Sequence, residues 1–210
     1  MTDKKIIKTI HQNIAVTVEN LLLEIDVSGE ETTGDETSLL IEQYYGHVGR
    51  LWVSEYLNTG KSDELINKLL YDFLRLNVTT GQWVLISRTI KNYFIKQKIN
   101  TFLDGLIDED FGGQNEIDSD TSKLIHYRNL FSHGSLEVTL EEIKSNRKRI
   151  FNKIKNAKFL NQNIYIKPNS DLNFIKLGLI NDTVNLPQDL KVNSLQPFIL
   201  NKNKEILNLY

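Results

Sequence analysis

The chain's three prolines, Pro168, Pro187 and Pro197, all fall in its last fifth, so the first 167 residues contain none. Proline lacks the backbone donor a helix interior needs and clashes with the preceding turn. A proline-free stretch of this length is therefore what a mostly helical body looks like. At 210 residues the chain has room for one ordinary domain and a small appendage. Apolar residues make up 40% and charged residues 25%, enough apolar surface to exclude disorder over most of the length.

The net charge is −2, so no global field draws the chain to nucleic acid or membrane, and any basic surface has to be local. Cysteine is absent, which excludes disulfides, thiolate metal sites and cysteine nucleophiles together and fits a reducing compartment. The first residues, MTDKKIIKTIHQNI, alternate charge with apolar side chains and hold no continuous apolar core of a signal peptide. No apolar run approaches the roughly 18–20 residues a membrane span needs. The expectation is a soluble, cytoplasmic protein with no membrane partner.

Hydrophobic spacing predicts the helices. Residues 3–25 place Ile6, Ile7, Ile10, Ile14, Val16, Val18, Leu21, Leu22 and Ile25 on an amphipathic pattern. DVSGEETTGDET (26–37), with five acidic residues and two glycines, reads as a solvated loop, from which Asp35 or Thr37 caps a second helix. That helix carries Leu40, Tyr44, Val48, Leu51, Trp52 and Tyr56 and closes at Gly60, a C′ glycine. A third opens at Ser62, with Glu64 in its first turn where the dipole favours a carboxylate. A fourth covers 81–99. Residues 104–120, with seven carboxylates and no basic residue, read as another solvated loop. A short helix over about 120–132, broken at His133-Gly134, and a longer one from about Thr139 to Phe159 complete the series.

Beyond that point NIYIKP and EILNLY read as short strands, and DLNFIKLGLINDTV as strand-like or mixed. The expected organisation is a helical bundle over 1–160 and a C-terminal extension with β character over 161–210, with a lead into a further domain as one alternative. EILNLY ends the chain without an obvious partner after it. Either the sequence is the N-terminal piece of a longer protein, or this strand pairs within the tail.

Phosphate-loop and metal chemistry find little support. There is no GxxxxGK[ST], and Gly112-Gly113 has no lysine after it. His11, His47, His126 and His133 never occur at the spacing of a metal-binding HExxH helix, so neither a metal nor a cofactor is expected. Ser132 beside His133 is no sign of a triad, because adjacent helical residues point in different directions.

One segment carries more: Arg128-Asn129-Leu130-Phe131-Ser132-His133-Gly134. An arginine, a polar residue directly after it, and a histidine after four intervening residues resemble the motif of the HEPN superfamily, and a helical background with the motif late in it agrees. The resemblance covers about residues 1–160. It implies an all-α, HEPN-like helical bundle and metal-independent RNA cleavage at a composite site formed by a homodimer, in bacterial stress response or antiphage defence. In the related toxins a tyrosine lies two residues after the histidine; here that position is Ser135, which puts regulation by tyrosine modification in doubt.

The residues suit such chemistry. Arg128 and His133 are about 140° apart around a helix and can converge if the helix ends near the histidine. A helix C-terminus stabilises a protonated imidazole, and Gly134 allows the helix to end there. Arginine's planar fork makes charge-assisted, bidentate bonds to phosphate. His133 would move the 2′-OH or leaving-group proton, Arg128 would stabilise the charged phosphate, and Asn129 would position it. The competing reading is structural: Arg128 in an ion pair with an acidic-loop carboxylate, and His133 capping a final carbonyl. In KSNRKRIFNKIKNAK (144–158), Lys144, Arg147, Lys148 and Lys155 could follow an RNA backbone, with Phe151 on the opposite, buried face, or simply form a solvated surface. The acidic loops could restrain activity by competing with RNA for that helix. Trp52, Trp83, Tyr44 and Tyr45 read as core or interface, and Gly46 and Gly49 around His47 as a close helix–helix approach. Two other functions fit the same residues: a catalytically silent module for dimerisation and for RNA or nucleotide binding in a larger sensor protein, and a nucleotide-responsive bundle with Arg128 as phosphate clamp.

Overall fold

The computed structural model describes residues 34–74, 77–112, 119–133 and 138–161, together with five short strands between 164 and 208. The helix expected over 3–25 lies outside the described residues, as do Gly134 and Ser135. Among the described residues six helices form the body: α1 (Gly34–Asn58), α2 (Glu64–Leu74), α3 (Thr80–Lys96), α4 (Asp120–Ser132), α5 (Leu140–Asn156) and the single turn α6 (Lys158–Asn161). The chain is mostly helical, as the proline distribution predicts. No described helix is long and apolar enough to cross a membrane.

α1 is the axis of the bundle. Leu40, Tyr44, Val48, Leu51, Trp52 and Tyr56 are all buried, and Ile41, Tyr45 and Val53 widen the apolar stripe until α3, α4 and α5 can all pack on it. The helix is already formed at Gly34, so Asp35 and Glu36 occupy its first turn and Thr37 is buried inside it, rather than Asp35 or Thr37 capping it. Gly60 ends it as expected, at φ +63° with its N–H on the Leu57 carbonyl; left-handed backbone there favours glycine.

The α1–α3 crossing is close because Gly49 lies under Trp83. A Cβ at Gly49 would stand 2.3 Å from the Trp83 ring, so the close approach expected around His47 is real. α3 begins with a reciprocal capping box between Thr79 and Gln82, and α5 with one between Thr139 and Glu142. α2 is capped by Asp63, whose Oδ1 accepts from the Ile66 N–H at 3.1 Å; Ser62 stands one residue earlier and accepts from Asn67 instead.

Residues 101–112 depart from the expected solvated loop. Leu103, Leu106 and Phe111 are buried in the main core, and Glu109 is buried with them, while Asp104, Asp108 and Asp110 stay exposed. The segment is fastened from both sides. Buried Glu55 of α1 accepts the Phe102 and Leu103 N–H groups at 3.1 and 2.9 Å, and Lys91 of α3 donates to the Glu109 carbonyl at 2.6 Å. The acidic residues mask an inward-facing apolar set at irregular spacing. Residues 113–118 of the same stretch are outside the described residues.

The helix expected to reach Phe159 stops at Asn156. Ala157 turns to extended backbone (ψ 92°), which lets α6 bury Phe159 and Leu160 from a new direction.

The extension forms one antiparallel sheet, β1 (Ile164–Pro168), β2 (Phe174–Lys176), β3 (Thr183–Val184), β4 (Phe198–Leu200) and β5 (Ile206–Asn208), in the order β3-β2-β1-β4-β5. The terminal strand does pair within the tail: Leu200 lies opposite Ile206, and Phe198 opposite Asn208. β5 rests on α1, and Ile199 and Leu207 join the helical core. The extension thus completes the core of the body.

Candidate functional site

α4 carries the arginine–histidine motif, and its inward face fixes its place. Ser119 caps it, accepting from the Ser122 N–H at 3.1 Å. Buried Thr121 takes a hydrogen bond from the Tyr45 hydroxyl (3.0 Å) and gives one to the Asp110 carbonyl (2.8 Å). Leu124 and Tyr127 are buried, and the Tyr127 hydroxyl donates to the Gly34 carbonyl at 3.2 Å. Burial, helped by the carboxylates of Asp35 and Glu142, pushes that phenol up to about 12, so it remains a donor at neutral pH. Phe131 covers Gly34 so closely that a Cβ there would meet its ring at 2.0 Å. Positions 124, 127 and 131 therefore form a stripe at helical spacing that seats α4 against the start of α1.

Arg128 lies on the flank of that stripe. Its Nη2 donates to Glu42 Oε2 of α1 at 2.7 Å, with 19% of the arginine side chain and 43% of the glutamate exposed. Its Nε is buried without a hydrogen-bond partner among the described residues. The expected structural alternative is thus met in kind but with a different partner, a helical carboxylate in place of one from an acidic loop. Asn129 and His133 are exposed. His133 is the C-cap residue, but the bond it makes there is from its backbone N–H to the Asn129 carbonyl at 3.1 Å, so the imidazole is not what caps the helix. Helical geometry sets Arg128 and His133 about 140° apart, one facing α1 and the other at the open end of α4. The structure brings the two onto one helix end but onto different faces of it.

The basic helix α5 divides in the same way. Lys144 and Lys148 are exposed one turn apart, while Arg147 and Lys155 are half-buried. Phe151 is buried as expected, but the Arg147 guanidinium lies over its ring at 5.5 Å, so the phenylalanine sits on the arginine's side of the helix and not opposite it, as i and i+4 positions must. Lys153 is an ion-pair partner of buried Glu109 and also donates to the Asp110 carbonyl at 2.9 Å. Arg149 sits 3.4 Å from Asp120. The acidic segment therefore does hold cations of this helix, Lys153 and Arg149.

These pairs line a depression of about 310 Å³ between the 105–110 segment and α5, where Asp108, Asn152, Asn156 and Lys158 complete the wall. Within it Lys153 pairs with Glu109 and Arg149 with Asp120. Among the described residues no group of three or more His, Asp or Glu side chains is placed to hold a metal ion.

The remaining candidates are structural. Trp52, Tyr44 and Tyr45 are fully buried, with Tyr44 and Tyr45 edge to face at 5.2 Å and Trp52 packed on Phe94 at 5.5 Å. Burial, with Arg50 beside it, lowers the His47 imidazole to about 4, so it stays neutral at physiological pH. Sequence reasoning missed Glu42, Glu55 and Glu109. Their partners lie 86, 47 or 48, and 44 residues away, and such distant pairings leave no local periodic signal. No family model matches the chain, and neither a curated protein nor a solved structure matches it.

Proposed function

We propose that this chain is a HEPN-like, metal-independent endoribonuclease that acts as a cytoplasmic homodimer. The observation that carries the reading is the placement of Arg128, Asn129 and His133 at the C-terminal end of α4, with the histidine exposed at the helix end. RNA supplies its own nucleophile. The 2′-oxygen attacks the adjacent phosphorus as its proton is taken up, the bond from phosphorus to the 5′-oxygen breaks, and the departing oxygen gains a proton. The products are a 2′,3′-cyclic phosphate and a 5′-hydroxyl. His133 serves one of these proton transfers, Arg128 neutralises the charge gathering on the phosphate, and Asn129 orients it. Lys144 and Lys148 offer exposed charge to the flanking backbone, with Arg147 and Lys155 beside them.

The divergence of Arg128 and His133 in one chain supports a site shared by two. If two α4 ends meet, each chain's histidine can work beside the other's arginine. Such dimers would belong to bacterial stress response or phage defence. The test is mixed RNA incubated with the chain in EDTA, with the new ends analysed. Cleavage that leaves 2′,3′-cyclic phosphates supports the reading, and intact RNA at high protein concentration removes it.

One observation favours a second reading. Arg128 is already engaged by Glu42, as it would be in a catalytically silent module that uses the same helices for dimerisation and RNA or nucleotide binding. RNA binding without cleavage, in a dimer indifferent to Arg128→Ala, would select it.

A further inference from the structure

A second depression, of about 270 Å³, opens between α4 and α5. Tyr127, Leu130 and Val138 form its apolar side, and His126, Glu142 and Ser145 with Lys123, Asn146 and Arg149 its polar side. His126 and His133 are seven residues apart, so helical geometry sets them within about 20° of each other around α4 and about 10 Å apart along it. The groove thus lies on the same face of α4 as the motif histidine, at a separation that one nucleotide bridges between base and phosphate. Its volume, near the lower end for small-molecule sites, suits a single heterocycle.

What the groove can recognise follows from which polar groups are already engaged. The Asn146 amide at its edge is used at both ends: Nδ2 donates to the Glu142 carbonyl at 2.9 Å, and Oδ1 accepts from Arg149 at 3.1 Å. Glu142 receives the Thr139 N–H and hydroxyl, at 2.8 and 2.9 Å, both on Oε2. Oε1 keeps its acceptor capacity. The two bonds from Thr139, the backbone one first, hold the Glu142 carboxyl below its ordinary range, so it stands as a carboxylate. An ionised acceptor beside an exposed imidazole and an aliphatic surface is suited to a stacked base whose Watson–Crick edge presents adjacent N–H donors. Among the four RNA bases that is guanine.

We propose that the groove between α4 and α5 seats a guanine base of the RNA substrate, stacked on His126 and Leu130 and donating its Watson–Crick N–H groups to Glu142. The identity of the ligand as RNA rests on the ribonuclease reading above; the choice of base rests on the groove.

The test separates the two. Fluorescent 2′-O-methyl pentanucleotides cannot be cleaved by 2′-OH attack, so UUGUU, UUAUU, UUCUU and UUUUU report binding alone by anisotropy. The guanine pentamer is expected to bind about tenfold tighter than the others. Glu142→Gln keeps the capping box, since glutamine serves at that position, and should leave the melting temperature unchanged while removing most of the preference. His126→Ala should weaken all four by about tenfold. His133→Ala should retain the preference, because the groove does not use it. Guanine preference without RNA cleavage would sustain the groove and sink the nuclease reading. Cleavage with equal binding of the four pentamers, binding of none, or an undiminished preference in Glu142→Gln would each overturn the groove.

Discussion

α1 and α4 meet at Gly34, where Phe131 covers the glycine, yet the two helices are built on opposite plans. α1 commits most of its positions to the core, with aromatic side chains at 44, 45, 52 and 56 all buried. α4 buries little beyond Thr121, Leu124 and Tyr127, and leaves His126, Asn129 and His133 exposed. Burying a large apolar side chain contributes roughly 1.5–3 kcal/mol, so α1 holds the fold together and α4 is carried on it. A helix docked by so few contacts still has a fixed place, because its tyrosine, phenylalanine and arginine each find a partner on α1. The remaining positions are left for chemistry.

This contrast predicts where substitutions hurt. The largest effect belongs to the α1 side. Trp83→Ala empties the α1–α3 crossing and should lower stability by about 3–5 kcal/mol, read as a fall in the denaturant midpoint. Gly49→Ala fills the same crossing from the other helix and should cost about 1–3 kcal/mol, because the new methyl meets a ring rather than a flexible chain end. If either variant melted with the wild type, the claim that α1 organises the core would fail.

Glu55→Ala comes next. It strands two N–H groups, one of them buried, and should cost about 1–3 kcal/mol. Burial raises the Glu55 carboxyl above its ordinary value, with the bonds from Leu103 and Phe102 opposing the rise. A raised carboxyl binds its proton more tightly in the folded chain than in the unfolded one. Its contribution is therefore complete below the unfolded value and declines as pH rises through the window up to the folded value, staying flat above it. In Glu55→Gln this slope should vanish, which unfolding curves collected across mildly acidic pH would reveal.

The C′ glycine and the apolar stripe of α1 were legible in the sequence because each is a local pattern with a local cause; the caps were not, since Asp35, Thr37 and Ser62 all offer a suitable side chain near a helix start while α2 is capped by Asp63 and α1 is already formed at Gly34. Gly60 was readable as a left-handed stop, and Leu40 through Tyr56 as a face. The 101–112 segment was not, since Leu103, Leu106 and Phe111 sit among carboxylates at no regular spacing. Ala157 gave no warning of a break, being a good helix former that adopts extended backbone only to bring Phe159 and Leu160 inward. β4 has three residues, too few to show alternation. For the site, the motif named Arg128, Asn129 and His133, but the carboxylate facing Arg128 could be found only once α1 and α4 were packed together.

The α4 and α5 surface should respond in function and barely in stability. Lys144→Ala and Lys148→Ala should each weaken RNA binding about equally across sequences and reduce the slope of log affinity against log salt by about 1, measured by anisotropy titration. Glu42→Gln should change stability by under about 1 kcal/mol, as expected for a partly exposed ion pair, while leaving Arg128 available to phosphate. His133→Ala should move the denaturant midpoint least of all, within about 0.5 kcal/mol, because the side chain is exposed.

The most direct test of the account compares wild type, Arg128→Ala and His133→Ala at equal concentration on one RNA pool in EDTA, after unfolding curves have established that all three are folded. The account predicts that the wild type cleaves and that each variant is slower by at least about a hundredfold. Cleavage by His133→Ala at the wild-type rate would contradict it, whatever the fold.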